Sequence, residues 1–280
     1  AGAPLDKLAR AEELERSGEP AEAVWGATDW FRGQDGKWRF EVDDSAAALS
    51  SDGLSDTAAT KMGQFMDHPD LYRAHPDVSE IYTTADSSLG RSGSYAVPES
   101  RKHMGLFDID EQITVKGDDR RSTTLHELQH AVQRREGFAR GSSRGDAVSE
   151  VLAEKNAVLN KLEKGMRARQ LELGLGDSYR PSTNDNLLND LRNRYDVLVT
   201  TTPTNKDLIF DRYRNSAGET EARNVQTRMD MTPDERAASF PRSTEDVPAG
   251  DQVVRFGDIP SMSLPTDEAS RMARAQEMGF

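Results

Sequence analysis

The spacing of apolar residues predicts helices over most of the chain. Leu5, Leu8 and Leu14 have the spacing of an N-terminal helix, which Gly18 and Pro20 interrupt. Apolar residues return with helical spacing in several later segments. These segments cover residues 122–137, 146–173, 185–199, 205–230 and 266–278.

Strand patterns are shorter, and the first predicts a hairpin. In residues 29–44, an Asp35-Gly36 turn is followed by Trp38 and Phe40 in alternation with polar residues. The aromatic side chains of this segment are expected to anchor a core rather than to bind a ligand.

Further short strands are predicted in the segment that precedes the helix at residues 122–137. They are expected at residues 79–84, 105–110 and 112–116. Gly90 and Gly93 mark a loop between the first two, and residues 55–75 are expected to be mixed helix and loop. His68 and His75 each precede a proline, which places both at loop corners rather than in a metal site.

These patterns predict an α+β fold, mostly helical, with a small β-sheet beside the helix at residues 122–137. We expect one domain over residues 1–255, with a charged helical insertion at about 140–200 that forms an antiparallel hairpin. Pro, Ser, Asp and Gly accumulate beyond residue 237. Residues 256–280 are therefore expected to form a C-terminal arm with a short helix.

The composition excludes several classes of function. Of the 280 residues, 35% are hydrophobic and 30% are charged, and the net charge is −13 with a pI near 4.9. No basic face is expected, which disfavours nucleic acids and anionic membranes as partners. No apolar run is long enough to span a bilayer, so we expect a soluble protein. The chain has no cysteine, so a zinc ion would need His and carboxylate ligands.

The segment STTLHELQHAVQRREG contains an H-E-x-x-H (HExxH) motif, formed by His126, Glu127 and His130. Residues four apart on a helix lie one above the other, so both imidazoles can reach one metal ion. Zinc held by two His and one carboxylate keeps a position for water and lowers its pKa to roughly 7. Glu127 is then the expected general base, taking a proton from that water and passing it to the leaving amine.

Glu127 has a second possible use at the start of its helix. Thr124 and Glu127 fit a capping box, which would begin the helix at the next residue. Ser122 or Thr123 is equally available as the N-cap and would give a longer helix, so Glu127 is interpreted as the general base rather than as part of a cap. The helix also has a predicted apolar face, distinct from the face that carries the histidines, with Leu125, Leu128 and Val132.

The third zinc ligand is expected to be a glutamate. Glu136 lies six residues after His130 and is rotated by about 240° from it on a helix, which excludes it. The remaining choices are Glu219 and Glu221, in the segment SAGETEARN, and Glu150, in the segment SEVLAEK.

The segment GETEARN resembles the E-x-x-A-D/N ligand motif of gluzincin metallopeptidases. This resemblance favours Glu219 as the ligand, with Glu221 as the second choice and Glu150 as the third. Arg223 stands where that pattern has an acid or an amide, so the register between Glu219 and Glu221 stays open.

Three separated blocks of the sequence resemble zincin-like domains of large polyvalent proteins from bacteriophages and other mobile elements. The blocks are DWFRGQDGKWRFEVDD, TTLHELQHAVQRREGFARGSS, and RYRNSAGETEARNVQTRMDMTPDER followed by TEDVP. The resemblance covers about residues 5–255. It implies a metallopeptidase-like fold, a place for GETEARN in the active site, and a location in the phage virion or the host cytoplasm.

We therefore expect zinc-dependent hydrolysis of a peptide or protein, with the substrate held along the edge of the small sheet by strand addition. Tyr213 and Arg223 are the candidate stabilisers of the oxyanion, although packing in the core is the more expected role of Tyr213. Other parts of a larger phage protein or of the virion are the expected partners. The alternative is a catalytically inactive virion protein or interaction module with the same fold.

Overall fold

The computed structural model describes residues 5–87, 93–96, 111–175, 185–200 and 206–256. These residues fall into two compact units, and the second consists of residues 142–213 within the described ranges. The first contains the residues before it and those from Arg214 to residue 256. The strand predicted at residues 105–110 and the arm predicted at residues 256–280, with its helix, lie outside the described residues, apart from residue 256.

The first unit combines helices with short strands, as an α+β fold requires. Its helices are α1 (Leu5–Arg16), α2 (Ala21–Thr28), α3 (Ser51–Leu54), α4 (Met62–Phe65), α5 (Pro69–Ala74), α6 (Arg120–Glu136), α10 (Ala217–Arg228) and α11 (Pro233–Ala238). Its strands are β1 (Trp30–Arg32), β2 (Trp38–Phe40), β3 (Ala48–Leu49), β4 (Thr57–Lys61), β5 (Met66–Asp67), β6 (Tyr82–Asp86), β7 (Ser94–Ala96) and β8 (Gln112–Lys116).

Among the described residues, the largest sheet has the strand order β4-β6-β8-β7. Strands β6 and β8 are parallel and alternate between buried and half-buried residues, while β7 runs antiparallel to β8 at one edge. The strand predicted at residues 112–116 is confirmed. The strand predicted at residues 79–84 begins later, because Pro76–Glu80 forms a 3-10 helix.

Two strands of this sheet were not predicted from the sequence. Strand β4 lies where mixed helix and loop was predicted, and β7 lies in the predicted glycine-marked loop. Among the described strands, both are at an edge of the sheet, and β7 has only 3 residues. A segment as short as β7 carries too few alternating positions to show a strand period, and β4 has no large apolar residue in alternation, so the pairing with β8 and β6 decides their structure.

The hairpin predicted in residues 29–44 is confirmed: β1 pairs with β2 in antiparallel register. Trp30 belongs to a small core cluster with Ala11 and Val24, against which Trp38 and Phe40 pack. The aromatic residues of the hairpin therefore anchor the N-terminal helices, as their composition indicated.

Helix α6 begins earlier than predicted. Asp119 is its N-cap, and the Asp119 carboxylate accepts a hydrogen bond from the Ser122 amide at 3.4 Å. Glu127 therefore lies beyond the first turn and has no capping role. The helix ends at Gly137 in the left-handed conformation, with φ of 61°, as a C-terminal glycine predicts.

One face of α6 packs into the main hydrophobic core. Leu125, Leu128 and Ala131 are buried there, beside Ile113 and Val115 of strand β8. Since Val132 also packs against this core, the predicted apolar face is confirmed. Packing of this face against the sheet turns the histidines of α6 toward α10.

The helix predicted at residues 205–230 is interrupted, and α10 begins only at Ala217. The backbone at Ser216 forms a bridge with Val253: the Ala217 amide donates to the Val253 carbonyl at 2.9 Å, and the Val253 amide donates to the Asn215 carbonyl at 2.7 Å. This pairing with a distant segment breaks the helix where local spacing alone predicted continuity.

The second unit contains the helices α7 (Arg144–Glu172), α8 (Asn186–Thr200) and most of α9 (Lys206–Arg214). Arg169 pairs with Asp185, and the Tyr195 hydroxyl donates to Glu163 at 2.8 Å. The partner of the earlier residue of α7, Glu163, is the later one in the sequence, Tyr195. The helices α7 and α8 are therefore antiparallel, as predicted for the insertion. No helix in the described part of the chain is long and apolar enough to cross a membrane.

Candidate metal and active site

Three potential metal ligands meet where α6 packs against α10. The Nε2 atoms of His126 and His130 lie 3.2 Å apart. Glu219 directs one carboxylate oxygen to each imidazole, at 3.4 Å from His126 Nε2 and 3.3 Å from His130 Nε2. Within the described ranges, these residues form the group of potential ligands whose donor atoms all lie within 4.8 Å of one another.

Two glutamines fix the orientation of the imidazoles. Gln226 faces His126 Nδ1 with its Oε1 at 3.2 Å, while its amide nitrogen donates to the Ser122 carbonyl and hydroxyl oxygens. Gln133 faces His130 Nδ1 with its Oε1 at 2.9 Å. Because amide oxygens only accept hydrogen bonds, each Nδ1 must carry a proton, which directs Nε2 toward the centre of the group.

The inward-facing atoms require a cation or a proton among them. Two imidazole nitrogens and a carboxylate lie 3.2 to 3.4 Å apart, and their lone pairs repel one another unless a positive charge lies between them. A proton can supply it. Burial alone would lower the pKa of His130, but the hydrogen bond and charge of Glu219 raise this pKa to about 9.

A zinc ion would also fit the group. Zinc ligands at about 2.0–2.1 Å in tetrahedral geometry are separated from one another by about 3.3 Å. The two Nε2 atoms, at 3.2 Å, match this edge length, and Glu219 presents Oε2 at 3.4 Å to His126 and Oε1 at 3.3 Å to His130. Two histidines and one carboxylate are also a ligand set that zinc accepts while leaving one position open. The donor atoms therefore fit zinc in chemistry and in spacing.

Glu127 lies beside the group but does not belong to it. Its side chain is buried, and Gly93, which directly precedes β7, packs so closely against it that a Cβ atom at position 93 would clash with the Glu127 carboxylate. Burial raises the pKa of Glu127, and the nearby His130 and His126 offset only part of this effect. A carboxylate with a raised pKa can both accept and return a proton near neutral pH.

Gly141 packs directly against the ligand group. A Cβ atom at this position would lie 2.5 Å from Glu219 Oε1 and 2.8 Å from His130 Nδ1. Gly218, at the start of α10, makes a similarly close approach to the backbone of Arg140 and Gly141. Only glycine therefore allows the segment after α6 to pass between the two helices that carry the ligands.

We expect Gly141→Ala to displace His130 and Glu219 and to weaken zinc binding by at least about tenfold, because the added methyl group occupies ligand space. Equilibrium dialysis against zinc, with thermal unfolding of the same samples, measures the effect. Gly26→Ala is the matched control, since its Cβ would meet no atom within 4 Å. Equal zinc affinity in the two variants would contradict the packing seen at Gly141.

The structure places the other predicted site residues away from this group or leaves their roles untested. The Glu221 carboxylate is bound by Arg39 and Gln133. Arg223, an expected oxyanion stabiliser, forms two hydrogen bonds to Asp246, at 2.9 and 3.0 Å. The remaining candidates belong to the second unit: Tyr213 on α9 and Glu150 on α7. Their predicted roles stay predictions.

The sequence reasoning missed the residues that support the ligands. The sequence patterns assigned no role to Gln133, Gln226 or Gly141. Gln133 follows His130 by three residues on one helix face, which could have indicated the contact. The contacts of Gln226 and Gly141 join distant segments and have no local pattern.

The sequence blocks that carry the resemblance contact one another around the site. Arg39 of the first block binds Glu221 of the third, and Gln133 of the second also binds Glu221. The Thr244 hydroxyl of TEDVP donates to Asn224 of GETEARN at 2.7 Å. The blocks therefore form one connected region of the first unit.

Comparison with known protein families gives a match over the N-terminal part of the chain. Residues 1–50 match the family described as large polyvalent protein associated domain 23. This match supports an association of the chain with large polyvalent proteins. Neither the curated proteins nor the solved structures include a significant match.

Proposed function

We propose that this chain is a zinc-dependent peptidase with a zincin-like fold of the gluzincin type. His126, His130 and Glu219 would hold the metal, and Glu127 would act as the general base. One observation carries the proposal: two imidazole nitrogens lie 3.2 Å apart, a carboxylate from a second helix lies 3.3 to 3.4 Å from each of them, and both imidazoles are oriented by glutamine side chains.

The chain supplies binding groups and a proton carrier for peptide hydrolysis. Zinc bound at this site would polarise a substrate carbonyl and lower the pKa of water. The buried Glu127 carboxylate accepts a proton from the attacking water and returns it to the leaving amine. Its raised pKa keeps the energy of this transfer small in both directions.

The substrate class follows from the sheet edge beside Glu127. Among the described strands, β7 is at the edge of the sheet, and Gly93, which directly precedes it, packs against the Glu127 side chain. An extended peptide that added to this edge would run past the catalytic carboxylate. We therefore propose a peptide or protein substrate, with other parts of a large polyvalent protein or of a phage virion as partners, in the virion or the host cytoplasm.

The proposal is tested by measuring cleavage of quenched-fluorescent casein by the full chain, with and without 1,10-phenanthroline. We expect cleavage that is lost on chelation and restored by about one equivalent of zinc, because the ligand group holds a single ion. Cleavage that persists in metal-free protein would overturn the zinc mechanism. Zinc binding without cleavage of casein or of a peptide library would favour the alternative, an inactive structural module.

A further inference from the structure

The β1–β2 hairpin contains a carboxylate with no access to solvent. The side chain of Asp35 is 0% exposed. Its Oδ2 accepts hydrogen bonds from Arg39 Nη2 at 2.9 Å and from the Ala139 amide at 2.7 Å. Its Oδ1 accepts from the Lys37 amide at 3.0 Å. Asp35 therefore fixes the Arg39 guanidinium and also anchors the segment that follows α6.

Arg39 connects this carboxylate to α10. Its Nη2 binds Asp35, and its Nε donates to Glu221 Oε1 at 2.6 Å. The ring of Phe138 stacks 3.3 Å from the guanidinium carbon. The Arg39 side chain is only 5% exposed, so solvent competes little with these contacts. A planar guanidinium can serve both carboxylates at once, which a lysine ammonium cannot do with the same geometry.

Glu221 passes the contact on to α6. Its Oε2 accepts a hydrogen bond from Gln133 Nε2 at 3.1 Å, and the same nitrogen donates to the Gly218 carbonyl at 2.9 Å. Two acceptors on one side thus hold the amide nitrogen of Gln133. The Gln133 oxygen must then point the other way, toward His130 Nδ1 at 2.9 Å.

We propose that the hairpin sets the orientation of the His130 imidazole through the connected hydrogen bonds Asp35–Arg39–Glu221–Gln133. Arg39, Glu221 and Gln133 are positioning residues: they hold His130 Nε2 toward the group formed with His126 and Glu219. The inference rests on the proposed zinc site and assigns a role to the region that matches the polyvalent protein family, since Asp35 and Arg39 lie within residues 1–50.

The same contacts explain why Glu221 is a carboxylate rather than an amide. Its two oxygens accept from two donors, Arg39 Nε and Gln133 Nε2. A glutamine at this position has one oxygen and one NH2 group, so it can accept from only one of these donors through its oxygen. If its oxygen accepts from Arg39 Nε, its NH2 group faces the NH2 group of Gln133. Two donors then oppose each other, which favours rotation of the Gln133 amide.

The experiment measures zinc affinity by competition with a chelator for the full chain. We expect Glu221→Gln and Arg39→Lys each to weaken zinc binding by about 10-fold or more, the range found for residues that orient metal ligands. In a Gln133→Leu background, Glu221→Gln should have no further effect, because Glu221 acts on His130 through Gln133.

The chain offers a matched control pair in the same N-terminal region. Arg32 forms two hydrogen bonds to Glu15, at 2.9 and 2.7 Å, but both side chains are exposed and neither contacts α6 or α10 by these bonds. We expect Glu15→Gln and Arg32→Lys to bind zinc within about twofold of the wild type. A loss equal to that of Glu221→Gln would assign the effect to hairpin stability and overturn the inference.

A metal-free measurement separates this inference from the proposed function. In the wild type, the Nδ1 proton of His130 should give a 1H–15N signal protected from exchange with water, and Glu221→Gln should lose it. Loss of this signal in a protein that binds no zinc would support the positioning and refute the metal site. An unchanged signal in folded Glu221→Gln, with unchanged zinc affinity, would refute the positioning.

Discussion

Glu127→Gln is expected to abolish peptide hydrolysis while the protein still binds zinc. Glutamine has nearly the same shape as glutamate, but it cannot accept a proton from water. General-base catalysis contributes about 10²- to 10⁴-fold to rates, so kcat should fall by at least 100-fold. Glu127 lies outside the group of three donor atoms, so the metal content should not change. Cleavage of quenched casein and elemental analysis of the same samples measure both effects.

Glu136→Gln is the matched control for this variant. Glu136 lies at the end of the same helix, and its side chain is 47% exposed beside His75. Loss of the Glu136 charge should leave kcat within about twofold of the wild type, because an exposed ion pair contributes little. Retained hydrolysis in Glu127→Gln would show that another group accepts the proton.

Glu219→Gln should remove zinc from the protein. The substitution replaces the only charged ligand of the group with a neutral amide, which zinc binds weakly. We expect the affinity to fall by more than about 100-fold, beyond the loss typical of residues that merely orient ligands. Elemental analysis after dialysis should give about one zinc per chain for the wild type and close to none for this variant.

The variant Glu150→Gln tests the alternative ligand in the same assay. It should keep zinc, since the three donor atoms of the site come from α6 and α10. Zinc retained in Glu219→Gln but lost in Glu150→Gln would reassign the third ligand. A wild type that cannot be loaded with zinc would reject the metal site as a whole.

These two variants also separate the ligand from the base. Glu127 and Glu219 are both buried glutamates near the same imidazoles, yet their environments shift their pKa values in opposite directions. Burial raises the pKa of Glu127 and would raise that of Glu219 as well. At Glu219, the imidazoles of His126 and His130, which face its oxygens at 3.4 and 3.3 Å, outweigh the burial and lower the pKa. A permanently charged carboxylate suits a ligand, and one with a raised pKa suits a base.

The choice between Glu219 and Glu221 shows the limit of a local pattern. The two glutamates lie two residues apart on α10, so they point about 200° apart around the helix. The resemblance favoured Glu219, but the sequence left open which of the two faces the histidines. The close approach of Gly218 to the backbone of Arg140 and Gly141 fixes the rotation of α10 in this region. Glu219 then faces the histidines, and Glu221 faces Arg39.

The sequence by itself determined the features that depend on neighbouring residues. The four-residue spacing places His126 and His130 on one face of α6, Leu125 and Leu128 lie on another, and Gly137 ends the helix. These follow from the helical period and from glycine's conformational freedom, which act over a few residues. Strand β8 and the β1–β2 hairpin were also predicted, because alternation and turn residues are local.

Only the tertiary structure decided what joins distant segments. It pairs the three-residue strand β7 with β8, breaks the predicted helix at Ser216 through a bridge to Val253, and brings Glu219 to the histidines. It also connects Arg39 to Gln133 through Glu221. The physical reason is that each contact links residues far apart in the chain. Its geometry depends on how helices pack, which the spacing of residues in one segment does not contain.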